Sequence, residues 1–118
     1  MRAILLISHG SRSAKTKQEV AALVKRLERK SKISILEYAF LELERPSIPQ
    51  GIDRCIKKGA SEVVLLLNFL NSGRHVDQDI PQIVKDAKKR YPHVRFKMTS
   101  SVGQHKGIAD LFAEMISR

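Results

Sequence analysis

The run Ala3-Ile4-Leu5-Leu6-Ile7, followed by Ser8-His9-Gly10-Ser11-Arg12, decides the reading of this chain. Five consecutive apolar residues suit a β-strand covered on both faces, as in a parallel sheet held between two helical layers. The turn that follows lies at the strand's carboxyl end, where the loops of open α/β sheets diverge and leave a crevice for ligands. His9 falls in that turn. Gly10 lets a backbone or a ligand come close, while Ser11 and Arg12 add a hydroxyl and a permanent cation. A lone histidine at a strand end is more often a hydrogen-bonded structural residue than a ligand or base, so His9 needs support from elsewhere in the chain.

Outward from this strand, the pattern alternates. Thr16-Lys17-Gln18-Glu19 has the form of a capping box, and Val20, Leu23, Val24 and Leu27 recur on one helical face, which predicts a helix over 14–29. Residues 33–40 are rich in β-branched and aromatic types and read as a strand nearer the sheet edge. Ser47 can cap the next helix, Pro49 suits its first turn, Ile48, Ile52, Cys55 and Ile56 form its inner stripe, and Gly59 ends it. Val63-Val64-Leu65-Leu66-Leu67 is a second uninterrupted apolar run and hence a second central strand. After a polar loop, Asp77 or Asp79 opens a helix with Ile80, Ile83, Val84 and Ala87 inside. Residues 94–98 alternate as an edge strand does, and a last helix is expected to bury Ile108, Leu111, Phe112, Met115 and Ile116. Four strands alternating with helices require right-handed crossovers, so the fold class is α/β. It is a four-stranded parallel sheet of order 2-1-3-4 with helices on both faces, in one domain spanning residues 1–118.

Composition narrows the function. A chain of 118 residues with 42% hydrophobic and 29% charged residues is that of one globular domain, and it buries roughly two-thirds of its unfolded surface. The single cysteine, Cys55, cannot form an internal disulfide, and the opening apolar run is too short for a signal peptide or membrane span, so a cytoplasmic location is expected. Lys and Arg outnumber Asp and Glu by 22 to 12, a net charge of +10 that concentrates anions around the protein. Much of that charge falls in the last turns of helices, where it complements the helix dipole. With 5% aromatic residues and no RNA-binding or zinc-finger signature, nucleic acid is not the expected partner.

Three ionisable residues share the carboxyl edge of this sheet: His9 after strand 1, Glu42 after strand 2 and His75 in the loop after strand 3. Two imidazoles and a carboxylate suit a divalent transition metal with open positions, and either imidazole can take protons near neutral pH. The competing reading pairs Glu42 with Arg45 or Arg12 and leaves both histidines hydrogen-bonded within their loops. Glu44 competes for Glu42's place, His93 reads as a solvent-facing turn residue, and His105 as a helix cap or a rim residue.

Three ordered motifs then carry a resemblance across nearly the whole chain. Ser8-His9-Gly10-Ser11-Arg12, then Phe40-Leu41-Glu42-Leu43 with Pro46-Ser47-Ile48, then Phe69-Leu70 with Gly73-Arg74-His75 and Asp79-Ile80-Pro81, resemble the small class II tetrapyrrole chelatases of the sirohydrochlorin cobaltochelatase family. Gly103-Gln104-His105 before the last helix fits as well. The resemblance implies a chelatase-like three-layer sandwich and ATP-independent insertion of a divalent metal into sirohydrochlorin, a tetrapyrrole bearing eight carboxylates. Cobalt is the first expectation, with iron and nickel as alternatives, and no organic cofactor is implied. It also implies that His9 and His75 hold the metal or take the pyrrole protons with Glu42 assisting, and that the short chains pair as homodimers. Ser11, Arg12, Ser72, Gly73 and Arg74 would hold the macrocycle's acid groups, where bidentate arginine pairing is effective. Asn68, Asn71 and Ser72 depart from the more apolar or small residues expected there, and Lys106 stands where proline is common. The rival classes are a metal or tetrapyrrole carrier on the same fold and, further off, a basic nucleic-acid-binding domain.

Overall fold

Chain order and sheet order differ in the way a doubly wound sheet requires. The computed structural model describes residues 1–117, with the side chain of His75 also outside the described set. The elements are β1 (Arg2–Ser8), α1 (Ala14–Lys30), β2 (Ile35–Phe40), α2 (Ile48–Lys57), β3 (Glu62–Leu67), α3 (Ile80–Arg90), β4 (Arg95–Met98) and α4 (Ile108–Ile116). A π-helical turn, His75–Asp79, precedes α3 and a short 3-10 turn, Val102–Gln104, precedes α4. The strands are all parallel and lie in the order β2-β1-β3-β4, as expected.

Alternation along the central strands divides the core into two layers. Ala3, Leu5 and Ile7 of β1 and Val63, Leu65 and Leu67 of β3 face α2 and α3, meeting Ile48, Ile52, Cys55, Ile80 and Ala87. Leu6 of β1 and Phe40 of β2 face the other way, against Val20 and Val24 of α1. Gly51 lets α2 lie close to the sheet, since a β-carbon there would sit 2.8 Å from Leu5 Cδ1 and 2.9 Å from Ala39 Cβ. At the amino edge, Glu62 of β3 is nearly buried and draws in Arg2, Lys97 and Arg95 at 3.3, 3.5 and 3.8 Å. Among the described residues no helix is long and apolar enough to cross a membrane.

Three expectations need correction. The first helix is capped by Ser13, whose Oγ accepts from Lys15 N at 3.3 Å, rather than by the Thr16 box, because the helix already begins at Ala14. Strand β2 starts at Ile35 rather than residue 33. As expected, Asp79 opens α3 at its N-cap position, though no side-chain cap bond forms there. Asp79 has helical backbone angles, so the π-helical turn runs into α3 without orphaning the amides a cap would satisfy. The last helix forms but buries none of its residues: Leu111, Phe112, Met115 and Ile116 are 50–83% exposed. Ser47 does cap α2, in a reciprocal capping box with Gln50.

Candidate active site

The ladder of β1 continues past the last buried residues and so fixes where the loops begin. On one side Leu41 N donates to Ser8 O at 2.9 Å and Glu42 N to His9 O at 3.0 Å; on the other, Asn68 N donates to Ile7 O at 2.8 Å. His9 therefore sits at the tip of the central strand, between the loop after β2 and the loop after β3. Its side chain is exposed, and its ring stands edge-on to buried Phe69, with centroids 4.5 Å apart and planes at 86°. That contact holds the ring upright on an apolar support, the edge-to-face arrangement that aromatic quadrupoles favour.

Beneath it, Asn68 Nδ2 donates to the buried Ser8 Oγ at 3.0 Å. The asparagine that departs from the expected pattern thus ties the β3 loop to the end of β1.

Two hollows flank the tip. One, of about 440 Å³, is lined by His9, Asn68, Leu70, Ser72, Gly73, Arg74 and Val76 among others. The residues on both sides of His75 in the chain thus border the same space as His9; the His75 side chain itself lies outside the described residues. The second hollow, of about 520 Å³, is lined by Ser11, Arg12, Lys17, Leu43, Glu44 and Arg45 among others. The five expected substrate-binding residues are therefore split, with Ser72, Gly73 and Arg74 beside His9, and Ser11 and Arg12 across the tip.

The loop after β2 separates the two candidate carboxylates. It returns on itself, with Phe40 N donating to Pro46 O at 2.8 Å, and Gly10 packs against its Glu42 carbonyl. Leu43, between the carboxylates, has a φ of 68°, which turns the chain so that Glu42 and Glu44 part. Glu44 accepts from Ser11 N at 3.1 Å and is committed to the backbone. Glu42 is exposed beside His9. Among the described residues, which do not include the His75 side chain, no three His, Cys, Asp or Glu side chains gather closely enough to hold a metal ion. His105 bonds within the turn before α4, its Nδ1 accepting from Gly107 N at 2.9 Å, and His93 is exposed.

Two residues that the motifs include were given no role by the sequence reading. Leu43 and Leu70 are 60% and 62% exposed, one on each side of the His9 tip, and each lines one of the two hollows. Their signal in the sequence is faint, because a leucine in a loop looks like core until the loop is placed.

Comparison with known proteins bears on this site. The CbiX family model matches residues 3–118. A sirohydrochlorin ferrochelatase of Priestia megaterium is 32% identical over 117 residues, which are 99% of this chain and 44% of that protein. A crystal structure of the sirohydrochlorin chelatase SirB from Bacillus subtilis, in complex with cobalt, superposes with a TM-score of 0.88 at 30% identity, covering 98% of this chain and 50% of that one. A CbiX protein of Marinobacter aquaeolei, 20% identical, shares the fold with a TM-score of 0.87 and is of similar length, 93% of it being covered. The chain thus spans half or less of the first two proteins and nearly all of the third.

Proposed function

The chain belongs to the CbiX family, and on that premise we propose that it inserts a divalent metal into sirohydrochlorin, with cobalt as the first candidate and iron and nickel as alternatives. The observation that carries the reading is the place of His9: an exposed imidazole braced on Phe69 at the tip of the central strand, opening into the hollow bordered by residues 72–74 and 76.

Metallation moves an ion from a loose ligand shell into four ring nitrogens and releases two pyrrole protons. A neutral imidazole binds borderline metals without locking them in and accepts a proton near pH 7. His9 and His75 take these roles, and Glu42, exposed beside His9, offsets the charge of the incoming ion. The macrocycle lies across the tip, one flat face against Leu43 and Leu70. Its acid groups reach Ser72, Gly73 and Arg74 on one side and Ser11 and Arg12 on the other. The split of these residues between two hollows supports a ligand broad enough to bridge both. The excess of cations suits a polyanionic substrate. A second copy of the chain completes the assembly as a homodimer.

The test is steady-state metallation of sirohydrochlorin by the purified chain, followed by absorbance, with cobalt, iron and nickel assayed side by side. Multiple turnovers with at least one metal, abolished in both His9→Ala and His75→Ala while the far-ultraviolet circular dichroism is unchanged, supports the proposal. Binding of the tetrapyrrole without turnover would mark a carrier, and affinity for nucleic acid that falls steeply with salt and ignores His9→Ala would mark the third class.

A further inference from the structure

The tips of β1 and β3 are joined on both faces of the sheet. Their parallel register pairs Ile7 with Leu67, and Asn68 N donates to Ile7 O at 2.8 Å, so the next two pairs along it are Ser8 with Asn68 and His9 with Phe69. Successive side chains point to opposite faces. Ser8 and Asn68 accordingly share the α1 face, where Asn68 borders a groove with Leu6 and Leu66 and its Nδ2 donates to Ser8 Oγ at 3.0 Å. His9 and Phe69 share the other face, with Phe69 in the same core as Ile7 and Leu67 and the two rings 4.5 Å apart.

Other bonds hold the β3 tip from the side away from His9. Strand β4 ends at Met98, and the Thr99 hydroxyl continues its ladder by accepting from Leu67 N at 3.1 Å. Gly103 N donates to Phe69 O at 3.0 Å. Toward β1, the side-chain link is the one from Asn68 to Ser8. It joins the residue just before the imidazole to the residue just before the ring that supports it. Ser8 is buried, so water competes little for this bond. An apolar residue at position 68 would offer Ser8 Oγ no donor.

We propose that Asn68 and Ser8 are positioning residues for metal insertion, holding the stems of His9 and Phe69 at the spacing that keeps the imidazole upright in its hollow. This role rests on the chelatase reading above. Neither side chain needs to touch the ion or the macrocycle; both act through His9. A reacting group displaced by about 1 Å can lose on the order of a hundredfold in rate. The contacts that bind the macrocycle, at Leu43, Leu70 and the loop cations, do not pass through the Asn68 to Ser8 bond. Breaking that bond therefore lowers kcat and leaves KM for the tetrapyrrole nearly unchanged, the mark of an interaction that matters in the reaction step.

The test compares Ser8→Ala, Asn68→Ala and the double variant with the unmodified chain, in turnover and in the proton–carbon NMR signals of the metal-free protein. The signal missing from His9→Ala identifies the His9 ring. Circular dichroism checks folding, and Ser8→Ala, which removes a single oxygen, disturbs the sheet least. Each single variant is expected to lose roughly tenfold in kcat, and the double variant no more than the larger single loss, because all three remove one bond. Ser8→Thr, which keeps the hydroxyl, should recover most of the loss. The His9 signals should move toward those in Phe69→Leu, where the ring contact is gone. Unchanged kcat in folded Asn68→Ala, losses that multiply in the double variant, or His9 signals that stay in place overturn the positioning role alone. No turnover by the unmodified chain with cobalt, iron or nickel overturns the chelatase reading and this role with it.

Discussion

Gly10 lies so close to the carbonyl of Glu42 that a β-carbon built on it would stand 1.8 Å from that oxygen. With a φ of 98° it is also in the left-handed region. Any side chain at this position therefore pushes the Glu42 loop away from His9 as well as straining its own backbone. Gly10→Ala is expected to cost about 2 kcal/mol or more of stability and to slow metallation at least tenfold. Urea unfolding and turnover measured together check this; an unshifted midpoint would show that the loop yields freely.

The two carboxylates after β2 should separate by assay. Glu42→Gln, at an exposed position, is expected to change stability by less than about 0.5 kcal/mol while slowing metallation by roughly ten- to a hundred-fold. Glu44→Gln weakens the acceptor for Ser11 N and is expected to cost about 1 kcal/mol with little effect on rate. The opposite ranking in turnover would transfer the helper's role to Glu44.

Leu43 holds a left-handed backbone in a leucine, with its side chain mostly in water. Strain of that kind collects where function demands it. Leu43→Gly is expected to leave stability unchanged or raise it, by up to about 1 kcal/mol, and to raise KM for the tetrapyrrole severalfold with kcat little altered. A KM equal to that of the unmodified chain would mean the ring does not rest there.

Cys55 gives a pH signature. Burial, and then the negative charge of Glu37, push its thiol from the ordinary 9.0 up to about 12. Above pH 9 the unfolded chain loses this proton while the folded chain keeps it, so the unfolded state binds fewer protons and stability falls as pH rises. The loss is about 1.4 kcal/mol by pH 10 and continues toward the folded value. Cys55→Ala abolishes this component. Comparing the two proteins' unfolding free energies at pH 7 and pH 10 measures it, and equal slopes would contradict the assignment.

The sheet was legible because β1 and β3 are unbroken apolar runs and β4 alternates, which leaves few orders open. The site was legible as far as the strand tips, since His9 and Glu42 follow strands by one and two residues and the backbone ladder carries them to one edge. The choice between Glu42 and Glu44 was not legible. It depends on the turn at Leu43, a conformation leucine seldom adopts and its neighbours do not announce. The last helix shows another boundary. Periodicity at Ile108, Leu111, Phe112, Met115 and Ile116 says that a face is apolar, but it does not say that the face packs on this chain's own core.

The buried run of each strand stops at Ser8, Phe40 and Leu67, and the hollows are bordered mainly by exposed loop and helix residues beyond them, with buried Phe69 and Val76 joining the His9 hollow to the core. Exposed lining positions such as Asn71, Ser72 and Arg74 therefore vary at little cost to the fold, whereas Phe69 and Val76 do not. The shape of the hollow can thus drift through Asn71 and Ser72 while the strand that carries His9 stays as it is.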